Sequence, residues 1–127
     1  MKEIIKEVGK ILSGSIHYRF LRWKGEKPYP YFIGELYREG GSDESGETGY
    51  RLLLTGFYRG EDDMQLYEAA GQVVEMFPED TGRLVRCRGG TMLVSTGDIL
   101  TELPADVETE LTKMQITLEI KCWKGRG

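Results

Sequence analysis

The chain reads as an α+β domain: a mostly antiparallel sheet covered on one face by two helices, with one long acidic hairpin loop. Three observations predict this. Residues 1–12 and 62–77 repeat apolar side chains at helical spacing. Between and after them lie runs rich in aromatic and branched residues, joined by glycine-rich connections, as in sheets built from hairpins. The run 111–123 alternates: Met114, Ile116, Leu118, Ile120 and Cys122 against Lys113, Gln115, Thr117, Glu119 and Lys121. Such a strand has one covered face and one left for solvent or a partner.

Each element has its own signal. In residues 1–12 Ile4, Ile5, Val8, Ile11 and Leu12 make the apolar stripe, and Ser13-Gly14-Ser15 ends it. Residues 16–23 and 29–38 read as strands around a turn at Gly25-Glu26-Lys27-Pro28, with Pro30 at a strand start or an edge. The stretch 39–49 holds only Gly, Ser, Thr, Glu and Asp and reads as the long loop. Residues 50–58 set Leu52 and Leu54 on one face and Leu53 and Phe57 on the other, so this strand is central or doubly covered. Asp62 or Asp63 caps the second helix, whose stripe is Leu66, Tyr67, Ala70, Val73, Val74 and Phe77 before Pro78. Residues 83–88 and 91–95 form a hairpin about Gly89-Gly90, and 97–106 is a connection.

The 127 residues fit one domain, residues 1–127, with a core that needs no staple. The net charge of −4 disfavours a nucleic-acid binder driven by phosphate neutralisation. Two cysteines are too few for a disulfide scaffold. The start of the chain, with Glu3 and Glu7 and no long apolar run, is not expected to be a signal peptide. No apolar run approaches the roughly 20 residues of a membrane span, so no membrane partner is expected.

Chemistry-bearing groups are sparse. Glu119-x-Lys121 on a strand, with Asp106 upstream, matches the loose pattern of metal-dependent nucleases of the PD-(D/E)xK type, where carboxylates hold the metal and the lysine helps activate water. The same residues also read as the outward face of an alternating strand, and so short a motif occurs by chance. His17 is the only histidine and has no nucleophile motif beside it. Cys87 and Cys122 lack metal-ligand spacing. Asp43, Glu44 and Glu47 lack the ligand order of a calcium loop. The expectation is a protein that is not an enzyme and needs no metal or cofactor. The candidate interface residues are Tyr29, Tyr31 and Tyr58 with their amphipathic rings, Asp43, Glu44 and Glu47 on the acidic loop, and Arg83, Arg86 and Arg88 on another hairpin.

The order of elements, the Tyr29-Pro30-Tyr31-Phe32-Ile33-Gly34 stretch, the long hairpin after it and the helix over 62–77 resemble the tail terminator and tail-completion proteins of long-tailed bacteriophages and their prophages. The resemblance covers most of the chain and is one of layout. It implies a structural protein of the virion tail, made in the host bacterial cytoplasm. Six copies would form a ring on the head-proximal end of the tail tube, stop its polymerisation and join it to the head connector. The partners it implies are further copies of the chain, the tail tube protein and the connector. DNA would pass through without specific binding, and the acidic loop would either line the lumen, where it repels phosphates, or dock on a basic surface of the connector or a neighbouring ring.

Overall fold

A computed structural model of the chain describes residues 2–39, 47–60, 64–102 and 111–124. The elements in order are α1 (Lys2–Ser13), β1 (Tyr18–Phe20), β2 (Tyr31–Glu39), β3 (Glu47–Arg59), α2 (Met64–Met76), β4 (Arg83–Cys87), β5 (Gly90–Glu102) and β6 (Leu111–Lys124). The six strands form one sheet in the order β1-β2-β3-β6-β5-β4. Only β1 and β2 pair in parallel; every other neighbouring pair is antiparallel. This is the expected α+β fold, and β3 lies inside the sheet, as its two apolar faces predict.

Alternation decides which side of the sheet is buried. Phe32 on β2, Leu52 and Leu54 on β3, Met92 and Val94 on β5, and Met114, Ile116, Leu118 and Ile120 on β6 all turn to one side. Ile4, Val8 and Leu12 of α1 and Leu66, Ala69, Ala70 and Val73 of α2 pack on that side, with Phe77 just beyond. Tyr67, expected in the α2 stripe, is exposed and Ala69 takes its place. Leu66, Ala70, Val73 and Phe77 of the expected stripe are buried, and Val74 is half-buried.

Two glycines let rings lie flat on the sheet. A methyl group at Gly34 would collide with the Tyr18 ring, and one at Gly56 with the Phe32 ring. The glycine of the Tyr-Phe-Ile-Gly stretch thus marks a close approach, not a turn.

Several boundaries differ from expectation. The first strand is three residues long, not eight: Leu21 takes a φ of 68° and turns the chain away after its N–H bonds the Gly34 carbonyl. The acidic stretch is shorter than predicted, because Glu39 pairs with Gly49 and Glu47 and Thr48 are already in β3. Residues 40–46, with Asp43 and Glu44, lie outside the described residues, as do the expected caps Asp62 and Asp63. The expected connection from Gly97 is strand as far as Glu102. Gly97 and Asp98 together face Thr117, a bulge that resets the register between Thr96 and Ile99. Thr96 also ties this strand to the end of α2: its N–H and its hydroxyl both donate to the Phe77 carbonyl, at 3.0 and 2.7 Å.

Candidate interface on the open sheet face

The second face of the sheet carries the polar half of each alternating strand, and both helices pack on the other side. At one corner it holds an aromatic cluster. Tyr31 stacks on its cross-strand partner Phe57 at 5.1 Å and meets Trp23 at 5.5 Å and Tyr29 at 5.4 Å. Arg19 sits 5.0 Å from the Trp23 ring centre, a cation–π distance. The Trp23 indole N–H donates to the Glu26 carbonyl, which fixes the segment that leads back to β2. Tyr31 is nearly buried. Burial, with the neighbouring Tyr29, pushes its hydroxyl above the ordinary tyrosine range, against the pull of Arg59.

Of the three candidate tyrosines, Tyr29 and Tyr31 come together and Tyr58 does not. Tyr58 packs against the core on the helix-covered side. Alternation requires this: Phe57 faces Tyr31, so its chain neighbour must point the other way. Trp23 and Phe57 are the members that sequence reading missed. For Phe57 the signal was present, since it was already assigned to the face opposite Leu52 and Leu54.

Further along, charges form cross-strand diagonals. Arg51 meets Glu39 at 2.6 Å, and Lys121 approaches Glu47 at 3.9 Å. The Tyr37 hydroxyl donates to Glu35 at 2.5 Å, which raises its pKa, helped by the charge of the same carboxylate. Glu47 is therefore a strand residue of this face and not part of a loop. Exposed pairs of this kind contribute little stability, so their value lies in setting the charge pattern.

Arg83, Arg86 and Arg88 are all exposed on the β4–β5 hairpin, at the sheet edge. They do not share one face. Arg86 lies on the open face beside Leu84, Arg83 follows Val85 and Cys87 to the other side, and Arg88 stands in the turn.

The residues of the nuclease pattern are partly placed. Glu119 and Lys121 lie on the open face, as alternation predicts; Glu119 is opposite Arg51 and Ser95, and Lys121 is paired as above. Asp106 lies outside the described residues. Among the described residues no three His, Cys, Asp or Glu side chains are grouped to hold a metal ion. His17 is exposed and borders a depression of about 460 Å³ with Ser15, Gln65, Glu68 and Gln72. Cys87 and Cys122 are half-buried free thiols on a cleft of about 280 Å³ beside the start of α1. Burial, then the nearby Cys87, pushes the Cys122 thiol up, away from the reactive thiolate form. No described helix is long and apolar enough to cross a membrane. No protein-family model and no curated protein matches this chain.

Proposed function

We propose that the chain is a structural tail protein of a long-tailed bacteriophage, one that closes into a ring, most simply of six copies, on the head-proximal end of the tail tube. In that position it stops tube growth and offers a docking surface to the head connector. The protein acts by assembly and carries out no reaction of its own.

The observation that carries this reading is the β2–β3 hairpin within the sheet, whose connection, residues 40–46, holds only Gly, Ser, Asp and Glu. The strand pairing runs without a break from Tyr31 opposite Phe57 to Glu39 opposite Gly49, and β6 supports β3 as far as Glu47 opposite Trp123. The nine residues of β2 span about 30 Å. At the end of this hairpin Glu39 pairs with Arg51 and Glu47 with Lys121. An acidic connection of this composition suits a subunit that lines a lumen through which DNA must slide, because carboxylates repel phosphates. The order of elements, with the Tyr-Pro-Tyr-Phe-Ile-Gly stretch leading into β2, supports the reading by its resemblance to the terminator layout.

The test is tail assembly in cells with and without the chain. Without it, tubes should overgrow and fail to join heads, and supplying the protein should restore a fixed length. Tubes of normal length on filled heads in its absence would overturn the proposal.

A further inference from the structure

The sheet has two unlike edges. One is β4, five residues long. The other is the outer side of β2. There β1 pairs only with Phe32–Gly34, so the five residues from Glu35 to Glu39 have no described strand beside them. Each edge presents one large exposed apolar side chain on the open face: Leu84 is 67% exposed and Tyr37 is 48% exposed. The charge patterns differ. Arg83, Arg86 and Arg88 flank the first edge; on the second Glu35 and Glu39 lie on the open face, Glu39 paired with Arg51, and Arg38 points to the other face. α1 touches β4 yet leaves Leu84 and Arg86 exposed.

We infer that β4 of one copy lies along the outer edge of β2 of the next, so that the sheet continues from subunit to subunit. This rests on the ring reading and specifies its contact. Direction alternates at each step from β2 through β3, β6 and β5 to β4, so β4 runs the same way as β2. A head-to-tail contact that keeps the faces in line therefore pairs them in parallel. Leu84 and Arg86 then come beside Glu35, Tyr37 and Glu39. Pairing like with like would set arginines against arginines, or Glu35 and Glu39 against their own copies, which opposes a two-fold dimer. Charge alone would also suit an edge that merely avoids aggregation. The exposed apolar residue on each edge, on the same face, is what protection does not call for.

Cysteine cross-linking tests this. Tyr37→Cys and Leu84→Cys chains are made separately, mixed at high concentration and treated with a mild thiol oxidant, with the unaltered chain as the background for Cys87 and Cys122. The mixed dimer should exceed either self-linked dimer by about tenfold or more, the mark of a contact between unlike patches. Circular dichroism checks that each variant is folded, and both altered positions are exposed. Self-linked dimers in excess, or no linkage above background, would overturn the contact. A Leu84→Lys chain that still caps tubes would overturn it and leave the proposed function standing. Edge-linked copies that never cap a tube would do the reverse.

Discussion

Tyr18 and Phe32 lie across Gly34 and Gly56, so the smallest residues of the sheet hold two of its largest rings. Gly34→Ala or Gly56→Ala should each cost about 1–3 kcal/mol, since buried rings must shift to admit the methyl; denaturant melting measures it. Tyr18 has a second consequence. Its buried hydroxyl has no hydrogen-bond partner among the described residues, and burial pushes its pKa up to about 12 from 10.0. Tyr18→Phe should therefore stabilise the fold, by about 1 kcal/mol. The sign of the pH effect follows. The unfolded chain loses this proton near 10.0 and the folded chain only near 12, so stability is full below 10.0 and falls between the two. Melts across that window should show a weaker pH dependence in Tyr18→Phe; an unchanged slope would remove Tyr18 as its source. The Tyr-Phe-Ile-Gly stretch was visible in the sequence. The reason for its glycine was not, because the ring it admits comes from β1 through a parallel pairing that no local pattern announces.

Elements follow their periods where the period is unbroken. β6 was legible throughout because every second residue from Met114 to Cys122 is apolar. Leu118→Ala and Val73→Ala should each cost roughly 2–4 kcal/mol by lost burial plus cavity. A neutral result at Leu118 would mean reversed faces, which the buried set contradicts. β5 was cut short in the sequence reading because Gly97-Asp98 imitates a turn, and the bulge shifts alternation by one place beyond it. β1 was overextended because its aromatic run continues into Leu21 to Trp23, where positive φ and the Trp23 stacking take over. Thr96→Val tests the link from β5 to α2. It removes the hydroxyl bond to the Phe77 carbonyl but keeps the backbone one, so a loss of about 1 kcal/mol is expected. No loss in a denaturant melt would show that the backbone bond alone suffices.

At the scale of the molecule, the strand order decides what a partner meets. It brings Tyr29 and Tyr31 into one cluster, sends Tyr58 to the core side, and sets the arginine hairpin at the far edge from Glu35. The sequence supplied the residue types, and Tyr29 with Tyr31 was legible as a pair. The division of the rest between faces and edges depends on long-range pairing, chiefly β3 with β6 across the whole length of α2, β4 and β5. If unlike edges join the copies, added salt should weaken the ring, and Arg86→Glu should impair it while the monomer stays folded; sedimentation at several salt concentrations reads both. The central claim, that this chain closes as a ring on a tube end, is tested most directly by electron microscopy of growing tail tubes with the purified protein added. The account predicts a single ring of the chain on one end of each tube and growth halted there. Tubes that lengthen unchanged while the protein remains a two-fold dimer in solution would contradict it.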